Sequence, residues 1–104
     1  MNYPPYSNIL ALNFSGKNEE LLIKTVQIIG VDLKNKLKDS SISILGPCPS
    51  GISKIKEQFR WQMVLKGEIS IEFAREIKIF IYNLVKNVYN EIRVSLDINP
   101  NSLL

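Results

Sequence analysis

Histidine is absent from this 104-residue sequence, and cysteine occurs once, at Cys48. A structural zinc site needs four Cys or His ligands, and the common nucleophile triads need a histidine base. Both chemistries are therefore close to excluded. A single cysteine also rules out a disulfide framework, and nothing in it argues against a reducing cytosol. No apolar run approaches the ~20 residues of a membrane span, and the first residues lack the charged and apolar regions of a signal peptide. Glycine is scarce, at five residues, and none of them builds a phosphate-cradling loop of the Walker or Rossmann kind. No nucleophile–base pair stands out, so no catalytic residue is assigned. Internal repeats and low-complexity tracts are lacking as well.

What is present is an ordinary globular composition, with 45% hydrophobic and 22% charged residues. The length suits one domain with a two-layer core. The net charge of +3 is unevenly placed. Between Gly51 and Lys66 stand Lys54, Lys56, Arg60 and Lys66 against the single acid Glu57, while the rest of the chain is balanced. The entire excess thus sits on one short stretch. Charge concentrated in this way suits a polyanion better than the same charge spread over a surface.

Along the chain, Tyr3-Pro4-Pro5-Tyr6 reads as an extended lead-in, and residues 1–7 are expected to be a linker, with the domain proper over 8–104. Asn8 to Ser15 alternates, with Leu10, Leu12 and Phe14 on one face and Ala11 and Asn13 on the other. Asn18 is a helix N-cap followed by two acids, and Leu22, Val26, Ile29, Leu33 and Leu37 follow at helical spacing. Lys34, Lys36 and Lys38 suit the negative end of that helix as surface residues. Gly30, inside the helix, allows close approach to a sheet. Ile42 to Leu45 is a short strand stopped by Gly46-Pro47 and Pro49, with Cys48 as a small space-filling residue between the prolines. Ser50 to Lys56 is expected to be a basic loop. Phe59 to Lys66 alternates again: Phe59, Trp61, Met63 and Leu65 toward the core, Arg60, Gln62, Val64 and Lys66 away from it. Gly67-Glu68 is expected to turn the chain into a second helix capped by Ser70, with Phe73, Ile77, Ile81, Leu84 and Val88 as its apolar face and Asn90 as its stop. Ile92, Val94, Leu96 and Ile98 alternate with Arg93, Ser95 and Asp97 in a last strand.

The order is β-α-β-β-α-β. Each helix must bury one stripe and each strand one face. The solution is an α+β two-layer sandwich of the ferredoxin-like kind, a four-stranded sheet with both helices on one face. Right-handed crossovers place the first and third strands centrally. The other sheet face stays open, carrying Arg60, Gln62 and Lys66 with Asn13, Ser43, Arg93 and Ser95 beside them.

Several short runs in this order resemble a known family. They are Gly46-Pro47-x-Pro49, then Ile52, Lys54 and Ile55, then Phe59-Arg60-Trp61-Gln62 and Lys66, flanked by Tyr3-Pro4-Pro5-Tyr6 and by Asp97-Ile98-Asn99-Pro100-x-Ser102-Leu103-Leu104. Together they resemble the C-terminal domain of the primosomal protein N′ family, over nearly the whole chain. Two positions depart from the family's usual pattern: Asn99 stands where a second acid is common, and Gln58 where a basic residue is common. The resemblance implies a fold like ribosomal protein S10, which agrees with the order derived above. It implies a domain of a bacterial, cytoplasmic, ATP-dependent 3′-to-5′ DNA helicase that restarts replication at abandoned forks. ATP and zinc would be held upstream of this chain, with no cofactor here. The implied partners are branched or single-stranded DNA, the helicase core, and the acidic tail of single-stranded DNA-binding protein, with no membrane.

The candidate DNA contacts are Lys54 and Lys56 from the basic loop, Arg60 and Lys66 along the strand, and Gln62 as a neutral donor and acceptor. Each lysine is equally well a solvated surface residue. Arg60 and Gln62 serve equally well as contacts to the helicase core. Trp61, sharing a parity with Phe59 and Met63, is better placed for core packing than for stacking on a base. Two further functions stay open: a protein-interaction module with no DNA contact, and a small-molecule regulatory domain on the same fold.

Overall fold

The computed structural model describes residues 7–55, 58–88 and 90–98. The lead-in Tyr3–Tyr6, Lys56 and the tail beyond Ile98 lie outside the described residues. The elements are β1 (Ser7–Gly16), α1 (Glu19–Lys36), β2 (Ser43–Ile55), β3 (Gln58–Ile69), α2 (Ile71–Val85) with a 3-10 turn (Lys86–Val88), and β4 (Ile92–Ile98). They form a four-stranded sheet in the order β2-β3-β1-β4, with every neighbouring pair antiparallel. β1 and β3 are central, and the two-layer sandwich expected from the apolar pattern is the observed fold.

Local chemistry explains the helix boundaries. The Asn18 side chain accepts from the Leu21 backbone N–H, and the Ser70 hydroxyl accepts from the Phe73 N–H at 3.0 Å. Leu22, Val26, Ile29 and Leu33 of α1 are fully buried with Leu10, Leu12 and Phe14 of β1 and Met63 and Leu65 of β3. The one residue without a side chain in that stripe, Gly30, faces β2. A Cβ there would stand 3.1 Å from Pro47 Cδ, so the glycine lets the helix press on the proline corner.

The structure departs from expectation in four places. The segment Ser50 to Ile55 is not a loop: β2 continues through it, Lys54 pairing with Phe59 and Ile55 with Gln58. The strand absorbs Pro47 and Pro49 through register shifts on either side of the Cys48–Pro49 pairing. Gly46, at φ +93°, makes the first of these shifts, in a conformation an L side chain rarely adopts. Second, Gly67-Glu68 does not turn the chain, because β3 runs on to Ile69, which pairs with Ser7. Third, α2 buries Ala74, Ile77, Ile81 and Val85, leaving Leu84 exposed, and gives way to the 3-10 turn before Asn90. Fourth, Cys48 is exposed rather than space-filling; its pairing opposite Gln62 puts it on the helix-free side.

Candidate nucleic-acid interface

The alternation of a strand decides which side chains reach the helix-free face, and the registers decide which of them become neighbours. Four rows lie on that face. Lys66 pairs with Ser43 on β2 and Ile9 on β1. Leu45, Val64, Ala11 and Asp97 form a row across all four strands, and so do Cys48, Gln62, Asn13 and Ser95. A fourth row holds Arg60, Ser15 and Arg93, because Ser15 is the register partner of both arginines.

Arg60, Gln62 and Lys66 thus stand on the open face, with Asn13, Ser43, Arg93 and Ser95 around them. They do not act as one group. Arg60 and Lys66 are six residues apart on β3, about 20 Å at ~3.4 Å per residue, and occupy opposite ends of the sheet. Gln62 is half-buried between them and engaged: its Nε2 donates to Asn13 Oδ1 at 3.5 Å, while Asn13 Nδ2 donates to Asp97 Oδ2 at 3.2 Å. Lys54 enters only through its backbone pairing, and Lys56 lies outside the described residues. Trp61 is half-buried: it packs against the core and also lines the cleft described next.

Around the Arg60–Ser15–Arg93 row opens a cleft of about 290 Å³, to which the polar Asn13, Ser50 and Ser95 and the apolar Phe14, Trp61 and Val94 contribute. No acidic residue lines it. Both arginines are exposed. A like-charged pair beside four hydroxyl or amide side chains is an anion-binding chemistry, since guanidinium forks match phosphate and carboxylate oxygens. Ser15 and Arg93 were not singled out as contacts from sequence. Arg93 lies 33 positions beyond Arg60, and the two come together only through β1. The signal available was parity, which puts Arg93 on the open face; the row needed the register.

The model of the family described as "Primosomal protein N C-terminal domain" matches residues 1–101. The chain belongs to that family. It is 33% identical over 103 residues to replication restart protein PriA of Synechocystis sp., covering 99% of this chain and 12% of that protein. It is 26% identical to replication restart protein PriA of Bacillus subtilis and 25% identical to that of Chlamydia trachomatis, over 95% of this chain in each case. This primosomal C-terminal domain therefore spans about an eighth of the length of these relatives. Among solved structures it is similar to the de novo designed proteins Foldit4, with a TM-score of 0.60 at 12% identity over 88% of this chain and 97% of the other, and Ferredog-Diesel, with a TM-score of 0.52 at 18% identity over 91% of each. At those identities the likeness concerns the fold alone.

Proposed function

We propose that this primosomal C-terminal domain is a DNA-binding accessory domain of a replication-restart helicase, holding branched or single-stranded DNA by its backbone. The observation that carries the reading is the pair Arg60 and Arg93 on the helix-free sheet face, around a cleft without an acidic side chain. Lys54, Lys56 and Lys66 extend the positive field, and Gln62 borders the cleft through Asn13. Guanidinium contacts of this kind fall on phosphate and carry no sequence information.

On this reading the chain itself hydrolyses no ATP and unwinds nothing. The parent would be an ATP-dependent 3′-to-5′ DNA helicase of the bacterial cytoplasm, with its ATP and zinc sites in parts outside this chain. One cysteine and no histidine offer zinc no donor set here. Residues 1–7 would link the domain to the helicase core, on which it packs. The acidic tail of single-stranded DNA-binding protein is a second partner of matching charge. No helix among the described residues is long and apolar enough to cross a membrane.

The test is a titration of the domain with forked, duplex and single-stranded DNA at two salt concentrations. Binding should weaken steeply with salt, as phosphate neutralisation releases counterions. Replacing Lys54, Lys56, Arg60 and Lys66 together by Ala should weaken every DNA alike and flatten the salt slope. Unaltered affinity in that variant would sink the DNA reading and leave an interaction module that docks the helicase core or the acidic tail.

A further inference from the structure

The cleft on the open face has a geometry narrower than a general basic surface. Ser15 is the register partner of Arg60 on one side and of Arg93 on the other. Neighbouring strands lie about 4.8 Å apart, so the two arginine backbones flank the serine at about 10 Å from each other, with both side chains on the same face. Ser15, Asn13 and Ser95 line the floor and wall between them. Two guanidinium forks anchored at that spacing can reach one small anionic group from both flanks, and hydroxyls between them supply further donors. Nothing acidic in the lining relieves their repulsion. Two acids stand near Arg93 in sequence: exposed Glu91, two residues before it and outside the cleft lining, and Asp97, four residues after it, about 14 Å along the strand and bonded to Asn13. The Asp97 separation exceeds the ~8 Å screening length at physiological salt.

We propose that Arg60 and Arg93 form a clamp on a single phosphodiester of a single-stranded nucleic acid, with Ser15 as the donor between them. The proposal rests on the DNA-binding reading and deepens it, by naming the strand form and the two residues that share one phosphate. A phosphate in a duplex turns its free oxygens outward and has its neighbours stacked behind it. A single strand can present one phosphate to forks on both flanks. The volume of about 290 Å³ suits one such linkage, being at the lower bound of ordinary small-molecule pockets at ~300 Å³.

The test is a cycle of Arg60→Ala, Arg93→Ala and the double variant, with affinity for oligothymidylate and for a duplex measured at several salt concentrations. A separate Lys54, Lys56 and Lys66 triple variant runs beside it, and circular dichroism confirms each fold. The clamp predicts that each single variant weakens single-strand binding about tenfold and lowers the salt slope by about 0.7. The double variant should lose little more than either single one, because both grip the same phosphate. Arg93→Lys should keep the slope yet lose affinity, since an ammonium lacks the fork. Losses that multiply, with a slope change of about 1.4 in the double variant, would mean two independent phosphates and overturn the clamp. If only the lysine triple variant loses affinity, the clamp is overturned and the DNA-binding function stands. Amide shifts on adding pentathymidylate should centre on Ser15, Arg60 and Arg93 and spare Leu45 and Val64; shifts centred elsewhere also overturn it. An acidic peptide bound in preference to pentathymidylate at those three amides would assign the cleft to a carboxylate instead.

Discussion

At one end of the open sheet face, Arg60, Ser15 and Arg93 stand in a row around a cleft. Four residues further along β3, next to the Lys66 end, Leu45, Val64 and Ala11 lie side by side with Asp97, and Ala11 is left only 1% exposed. The β1 pairings with β3 and β4 are regular in both rows, while β2 pairs with Val64 and shifts register opposite Arg60. The difference is side-chain length and polarity. Long charged residues flanking a short serine leave a depression with donors around it. In the other row a short alanine stands between Val64 and Asp97, with Leu45 beyond Val64, and is covered. Between the two rows runs the Gln62–Asn13–Asp97 chain of hydrogen bonds, which ties the acid of the Ala11 row to the middle row. The lesson is that an open sheet face is not one surface: each row across the strands sets its own chemistry, and a small residue in the middle decides whether a row is a cleft or a lid.

The largest way to break the comparison acts on both ends at once. Gly46 sits at φ +93°, and a Cβ there would come 2.8 Å from the Gln62 carbonyl oxygen. Gly46→Val should lower stability by about 3 kcal/mol, and a urea midpoint close to the wild type would show that the corner does not set the register of β2. Next comes a matched pair of charges. Ser15→Asp places a carboxylate between the two arginines and should weaken DNA binding more than tenfold, with stability held or raised by up to ~1 kcal/mol. Leu45→Asp adds the same charge on the apolar row, beyond the screening length, and should alter affinity less than about twofold. Equal losses from the two, measured in one fluorescence-anisotropy series, would erase the distinction between the ends.

A smaller effect tests the border. Asn13→Asp opposes Asp97 with a like charge and should cost about 0.5–1 kcal/mol, recovered when Asp97→Asn is added. A thermal melt in which the second change gives nothing back would remove the 3.2 Å bond from the account. The smallest concerns Cys48, exposed in the same row as Gln62 and Asn13. Cys48→Ser should stay within about 0.5 kcal/mol of the wild type, and the thiol should react promptly with a water-soluble disulfide reagent in the native protein. Reaction only after denaturation would restore the space-filling role expected from its proline neighbours.

Much of the fold was legible because the alternation in β1, β3 and β4 is clean and the α1 stripe is regular. Leu10, Leu12, Phe14, Met63 and Leu65 are buried where their parity puts them. The second half of β2 was not legible. Pro47, Pro49, Ser50 and Gly51 carry every mark of a loop, and the pairings of Cys48, Pro49, Lys54 and Ile55 with β3 hold the segment extended. Leu84 and Val85 exchanged roles because both fit a helical stripe within half a turn, and the helix's rotation against the sheet selects between them. The face of Arg60 was legible, but its neighbour was not. Parity is a local property, whereas the meeting of residues 60 and 93 through Ser15 depends on two registers that no single segment encodes.

β4 is an edge strand of seven residues, held to the sheet on one side only, by β1. Its partners lie some eighty positions earlier in the chain. Such a strand is the part of the sheet most free to detach by itself, since its loss leaves β1, β2 and β3 paired. Any ligand gripped by both Arg60 and Arg93 binds only molecules in which β4 is in place. At a hundredfold excess over its dissociation constant it would add about 2.7 kcal/mol to the docked state. Hydrogen exchange at the β4 amides would then slow far more than exchange in α1, making the edge of the sheet a reporter of what happens on its face.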